Sequence, residues 1–163
     1  MRHACTTLFL GLWLAGCGPR HEQVETISPF SSRVRSDGLV VELSLPKVVL
    51  TVGERVQATV TAMNESSKPI TIRAESGAPA YLRVWRKAGW AWDQVRRYPQ
   101  WDLVQMNAWQ LAPHSRRQFV ISVVVEPDWP VLEQAKITGE LNGRADVQAG
   151  VVVTILPRWE KVP

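Results

Sequence analysis

The sequence predicts an all-β fold, and three observations support this prediction. Apolar and polar residues alternate with a period of two in several short runs, the pattern of strands with one buried face. Clusters of Gly, Asn, Ser and Pro separate these runs, and most of the 11 prolines fall at their ends, where a missing amide hydrogen is tolerated. No amphipathic helix pattern interrupts them. Over residues 38–157 we expect an immunoglobulin-like β-sandwich of about eight strands, with a small β-barrel as the alternative.

The first half of this region holds four apolar runs. Residues 39–45 and 55–62 carry apolar side chains at every second position, so each run predicts a strand with one face in the core. Residues 47–51 and 70–74 are shorter runs next to turn residues and predict shorter strands. The expected core residues of the two long strands are Leu39, Val41, Leu43, Leu45, Val56, Ala58, Val60 and Ala62.

The second half begins with two predicted strands, residues 81–87 and 90–95, joined at Ala88-Gly89 by what we expect to be a two-residue hairpin turn. A later strand over residues 135–141 ends at Asn142-Gly143, a pair typical of tight turns. The remaining predicted strands cover residues 117–126 and 149–156. We find no internal repeat and no second domain.

The first 17 residues differ from this domain. A basic start, Met1-Arg2-His3, precedes an apolar run over residues 6–15 that closes on Leu14-Ala15-Gly16-Cys17. The run is about half the ~20 residues that a membrane-spanning helix needs, so it predicts a cleaved export signal. The order of basic end, apolar run, small residues and cysteine resembles the signal of bacterial lipoproteins.

This resemblance implies that residues 1–16 are removed as a signal peptide and that Cys17 carries acyl chains. These chains would anchor the domain in a membrane on the outer side of the cell. In a Gram-negative cell, Gly18 after the cysteine favours the outer membrane. The alternative is an ordinary secreted protein with a free cysteine. With Cys5 lost and Cys17 acylated, the domain has no disulfide, no thiol nucleophile and no thiolate ligand.

Residues 17–37 are expected to be a flexible linker between the anchor and the domain. The stretch is polar, rich in Ser and Pro, and has neither helical nor strand periodicity. Docking of Phe30 and Val34 on the domain is the alternative for its last part. Residues 158–163 are expected to form a short tail.

The charge distribution argues against a nucleic-acid partner. The chain has 19 Lys and Arg against 15 Asp and Glu, a formal net charge of +4, and loss of Arg2 with the signal leaves +3. The cations are scattered in pairs such as Arg86-Lys87 and Arg116-Arg117. Nucleic-acid-binding proteins concentrate such charge on one element, so we expect none here.

The order of strand starts and turns is shared with other bacterial modules. The residues that carry this likeness are Leu50-Thr51-Val52-Gly53-Glu54-Arg55-Val56, Asn64, Ser67-Lys68-Pro69-Ile70, Ser76-Gly77, Trp85 and Leu111-Ala112-Pro113. In these features the chain resembles the intracellular proteinase inhibitor family of Bacillus, the BsuPI type, over residues 39–156. The resemblance implies an immunoglobulin-like fold and protease inhibition. The chain departs from that family in its export signal and in the tryptophan-rich stretch after Trp92.

The sequence offers little material for catalysis. Of its histidines, only His21 and His114 follow the signal, and His21 lies in the expected linker. His114 stands between Pro113 and Ser115, a setting typical of an exposed turn rather than of a catalytic triad. The sequence also lacks metal-ligand spacings and a glycine-rich phosphate loop. We therefore expect a protein that is not an enzyme and uses no metal or cofactor.

Tryptophan is the most unusual component, because seven of the eight tryptophans follow the signal. A turn at Ala88-Gly89 pairs Lys87 with Trp90, Trp85 with Trp92 and Arg83 with Gln94. Rings and cations then alternate on one face. The candidate binding surface comprises Arg83, Trp85, Trp90, Trp92, Tyr98 and Trp101.

Two interpretations of these tryptophans remain open. They fill the core and stabilise the hairpin, as tryptophans in sandwiches often do, or they form an exposed recognition platform. The irregular stretch 96–108 favours recognition, because long irregular loops in compact domains often bind ligands. We expect a lipid-anchored, non-catalytic cell-envelope protein that binds another envelope protein. A BsuPI-like protease inhibitor and a glycan or cell-wall binding module are the alternatives.

Overall fold

The computed structural model describes residues 30–74, 77–100 and 108–159. These residues form eleven β-strands and no helix. The strands are β1 (Phe30–Ser36), β2 (Leu39–Leu45), β3 (Val49–Thr51), β4 (Arg55–Asn64), β5 (Ile70–Ile72), β6 (Ala80–Ala88), β7 (Ala91–Tyr98), β8 (Trp109–Leu111), β9 (Arg116–Val124), β10 (Gln134–Leu141) and β11 (Arg144–Leu156).

The strands form two facing sheets and a small side sheet. The order in the first sheet is β1-β2-β4-β9, and that in the second is β3-β11-β10-β6-β7. Strands β5 and β8 pair separately. The predicted all-β sandwich is confirmed, and the small-barrel alternative is wrong because the described strands do not close on themselves.

The core lies between the two sheets and is built by the predicted alternation. All eight expected core residues of β2 and β4 are buried. They face apolar residues of β6, β10 and β11. The sheets approach most tightly at Gly139, where an added Cβ would lie 2.8 Å from Val60 Cγ2 and 3.2 Å from Leu43 Cδ1. Glycine is therefore required at this point by close packing.

The prediction of a linker up to residue 37 is wrong for its last part. Residues 30–36 form β1, which pairs antiparallel with β2 from Phe30 opposite Leu45 to Ser36 opposite Leu39. Phe30 and Val34 pack against the core, as the alternative held. The remainder of the proposed linker, the signal and Cys17 lie outside the described residues.

Apart from β1, the three largest differences from the predicted strands concern β7, β8 and β11. Strand β7 continues to Tyr98, so part of the expected binding loop is regular strand. Strand β11 begins at Arg144, directly after the Asn142-Gly143 turn. The three residues of β8 were not predicted as a strand; their Trp109 ring packs edge-on against Phe119 at a centroid distance of 5.6 Å.

Candidate functional site

The outward side of the five-stranded sheet carries alternating rings and cations. Because side chains alternate along a strand, the residues on either side of the buried Leu82, Val84 and Ile137 in their own strands point away from the core. We call this surface the outer face. Its residues on β6, β7 and β10 are Tyr81, Arg83, Trp85, Lys87, Trp92, Gln94, Arg97, Lys136, Thr138 and Glu140.

The predicted hairpin register is wrong by two residues. The turn is Gly89-Trp90, with Gly89 at φ 62°, so Ala88 pairs with Ala91 and Lys87 with Trp92 rather than with Trp90. An even shift keeps each side chain on its predicted side of the sheet. Trp92 therefore stays on the outer face, whereas Trp90 lies in the turn and is fully exposed.

The same shift changes the partners of the other two predicted pairs. Trp85 pairs with Gln94, not with Trp92. A bulge between Val84 and Trp85 then moves the register once more, and Arg83 pairs with Arg97 instead of Gln94. Bulges of this kind re-aim the side chains that follow them. Here the bulge brings a further cation, Arg97, onto the outer face.

Glu140 lies on the outer face near the end of β10, opposite Tyr81, and is only 2% exposed. Its Oε1 accepts hydrogen bonds from Arg83 Nε at 2.8 Å and Arg83 Nη2 at 2.6 Å. Its Oε2 accepts a bond from Gln148 Nε2 at 2.8 Å. Arg83 Nη1 also donates to Gln94 Oε1 at 2.6 Å, which ties β7 to the same cluster. A buried carboxylate needs such partners, so these bonds fix the side chains across four strands.

One row from Arg83 along the sheet, Lys136 lies near two tryptophans. Its ammonium is 5.0 Å from the ring centroid of Trp92 and 5.8 Å from that of Trp85. The indole N–H of Trp85 donates to Thr138 Oγ1 at 2.9 Å. Trp85 and Trp92 are each half-buried, so part of each ring packs on the sheet and part faces solvent. Both interpretations of the tryptophans therefore apply to the same side chains.

On the other side of Arg83, at Tyr81, the pattern repeats with arginine over tyrosine. The guanidinium of Arg97 lies 4.7 Å from the ring centroid of Tyr81. The Tyr81 ring is buried beneath it. Cation–aromatic pairs thus lie on both sides of the central Arg83–Glu140 ion pair.

Tyr98 does not belong to this surface, contrary to the prediction. It lies on the core side of β7, is buried, and donates its hydroxyl proton to Glu126 Oε1 at 2.8 Å. The buried Trp129 donates its indole N–H to the same hydroxyl at 3.0 Å. Burial, together with the bond to Glu126, raises the pKa of Tyr98 to about 12. Tyr98 joins β7 to the loop after β9 and has a packing role.

The structure therefore brings together Arg83, Trp85 and Trp92, sets Trp90 at the hairpin tip, and buries Tyr98. Trp101 lies outside the described residues. The contributions of β10 to this surface were not predicted from the sequence. Their signal is the polar side chain at every second position of residues 135–141, which marks Lys136, Thr138 and Glu140 as neighbours on one face.

Among the described residues, His114 is exposed and no metal-binding cluster is present. His114 sits in a turn at φ 54°, and the neighbouring Ser115 hydroxyl donates to the Ala112 carbonyl at 2.7 Å. No three His, Cys, Asp or Glu side chains of the described segments lie close enough to hold a metal ion. A helix of the length and apolarity needed to cross a bilayer is also lacking from those segments.

No protein-family model and no curated protein matches the chain. Among solved structures, the chain is similar to the sporulation control protein Spo0M from Bacillus subtilis, with 14% identity, a TM-score of 0.53 and 77% of this chain covered. The chain spans about half of Spo0M, 51% of its length. At this identity the likeness bears on the fold alone.

Two further similarities are weaker. The CARDB domain of a Pyrococcus furiosus protein aligns with 14% identity and a TM-score of 0.42, over 78% of this chain and 96% of that domain. A β-glucosidase from Listeria innocua aligns with 11% identity and a TM-score of 0.41, over 74% of this chain and 16% of the enzyme. Neither similarity indicates the function of this chain.

Proposed function

We propose that this chain is a lipid-anchored, non-catalytic binding protein of the bacterial cell envelope whose outer face recognises another envelope protein. In a Gram-negative cell its place is the outer membrane. The anchor is supported by Leu14-Ala15-Gly16-Cys17 at the end of a short apolar run. Replacing Cys17 with Ser should release the protein from the membrane fraction and remove the mass of the acyl chains. Unchanged anchoring and mass in that variant would contradict the proposal.

The proposed binding role is supported chiefly by the fixed positions of the side chains on the outer face. Arg83 is held by Glu140 and Gln94, and Lys136 is held near two indole rings, before any partner arrives. Side chains that are already fixed lose little conformational entropy on binding. Arginine and tryptophan are also the residues most enriched among those that dominate protein interfaces.

The charge of the outer face indicates the kind of partner. On the outer face of β6, β7 and β10, within the described residues, the four cations Arg83, Lys87, Arg97 and Lys136 stand against one carboxylate, that of Glu140. Such a surface complements an acidic protein surface, and the attraction should raise the association rate and weaken with salt.

Photo-crosslinking in intact cells tests this proposal. A crosslinking amino acid at Lys87, exposed on the outer face, should capture a protein partner. The matched control is Gln118, exposed on the opposite sheet, which should capture none. Equal capture from both positions would refute the assignment of the face. No capture at Lys87, together with pelleting on peptidoglycan that is lost in Trp92→Ala, would replace it with the glycan alternative.

A further inference from the structure

Three large apolar side chains are exposed at one end of the sandwich. Trp90 in the β6–β7 turn is fully exposed, Leu132 in the loop before β10 is 71% exposed, and Trp159 after β11 is 82% exposed. Exposed apolar side chains scattered singly need no explanation, but a group of them at one place marks a contact site.

The strand register places all three at the same end. Lys87, just before the β6–β7 turn, donates to Gln134 Oε1 at 3.3 Å, and Gln134 pairs with Thr154. The Leu132 N–H donates to the Ile155 carbonyl at 2.8 Å. Trp159 follows three residues after Leu156, the last residue of β11. The hairpin tip, the loop before β10 and the residues after β11 therefore lie side by side at this end, across neighbouring strands.

The chain also enters the domain from this end. The ends of the two sheets meet here, since Val52 N–H donates to the Leu156 carbonyl at 3.0 Å and Gly53 N–H to the Val125 carbonyl at 2.8 Å. Strand β1 starts on this side, with Phe30 opposite the last residue of β2, and runs towards the other end. Cys17 precedes Phe30 by 13 residues, a stretch of chain that reaches at most about 45 Å.

Cations accompany the apolar side chains. Arg86 precedes the hairpin turn and pairs with Glu133 at 3.8 Å, and the side chain of Arg158 lies against Gly53, with atoms 3.8 Å from the Cβ position there. Arg55, the first residue of β4, is exposed at the same end. Tryptophan with neighbouring Lys and Arg is the combination found where proteins rest in the headgroup layer of a membrane.

We propose that this end of the sandwich docks on the surface of the membrane, with Trp90, Leu132 and Trp159 in the headgroup layer and the cations against anionic lipid. This inference rests on the proposed lipid anchor, which would hold this end near the bilayer. The strands are then perpendicular to the membrane plane. The outer face is parallel to the membrane normal and is accessible to other envelope proteins beside it.

Site-directed spin labelling tests the docking on the anchored protein. The full chain, isolated from the membrane fraction, is reconstituted into vesicles of phosphatidylethanolamine and phosphatidylglycerol. One nitroxide is attached at Leu132→Cys and, as the matched control, another at Val120→Cys on β9, which is 64% exposed on the opposite sheet. We expect the label at position 132 to be about threefold more accessible to oxygen, relative to a water-soluble nickel complex, than the label at position 120.

The double change Trp90→Ser and Trp159→Ser should remove this difference. Equal water accessibility at positions 132 and 120 in the unaltered protein would overturn the docking. The intact mass of the same sample reports acylation of Cys17 separately. If Cys17 is unmodified, the anchor proposal fails on its own, and flotation with the same vesicles still decides the docking. Protein that floats and loses flotation in the double variant supports it, and protein that stays in solution refutes it.

Discussion

The Arg83–Glu140 ion pair allows a direct test of how the outer face is held together. We expect Glu140→Ala to lower the free energy of unfolding by about 3 kcal/mol, because it removes two bonds from Arg83 and one from Gln148. The value lies at the lower end of the range for buried ion pairs, since the Arg83 side chain is 26% exposed and keeps Gln94 as a partner. Urea unfolding followed by tryptophan fluorescence measures it, as a fall in the midpoint of about 1–2 M.

Strand β2 supplies a matched control. Glu42 accepts the same pair of bonds, from Arg33 Nε at 3.1 Å and Arg33 Nη2 at 2.6 Å, but on an exposed surface. Glu42→Ala should therefore cost less than about 1 kcal/mol. The double variant Arg83→Met with Glu140→Leu should cost less than Glu140→Ala alone, since no uncompensated charge is left. Equal costs for Glu140→Ala and Glu42→Ala would refute the reasoning that burial makes the difference.

Two further predictions concern the turns and the packing between β7 and the loop after β9. Gly143→Ala should lower the free energy of unfolding by more than about 3 kcal/mol, because a Cβ on this residue, at φ 86°, would collide with the Arg73 carbonyl. Gly89→Ala is the control: at φ 62°, with open space around it, the change should cost about 1 kcal/mol. Thermal or urea unfolding measures both losses. A similar loss of stability in both variants would contradict the prediction, since it would mean that the backbone at Gly143 moves away from the added Cβ without cost. Because the folded pKa of Tyr98 is raised to about 12, its contribution is complete below pH 10 and should fall by about 2 kcal/mol between pH 10 and 12. Urea unfolding across that range should show a shallower decline in Tyr98→Phe than in the unaltered protein, and parallel declines would contradict the assignment.

The alternation of apolar residues was sufficient to predict the core of the first sheet. Burial on one face constrains every second residue, so Leu43 and Val60 were assigned correctly from local sequence alone. The same rule failed for β1. Its alternation runs through serine and arginine, with Phe30 and Val34 as the apolar members, and this composition is also typical of a linker.

The outer face was predicted in part, and the missing part depends on distant residues. Trp85 and Trp92 kept their side of the sheet because the register moved by an even number of residues. Glu140, by contrast, is a charged residue in an alternating strand, and such a residue is expected to face solvent. Its burial arises from Arg83, 57 residues away, and from Gln148 on the following strand. The alternation along β10 gives the face on which Glu140 lies, but it does not indicate that contacts from neighbouring strands bury the side chain.

The pairing of β1 with β2 has a mechanical consequence. Seven residue pairs join the two strands, and the hydrogen bonds of an antiparallel ladder run perpendicular to the strand axis. A pull on the chain before Phe30, directed along that axis, loads these pairs in shear, all at once, instead of opening them singly from one end. Tension on a tether attached before Phe30 is therefore borne by all the β1–β2 hydrogen bonds together, the arrangement in which a strand pair resists force best.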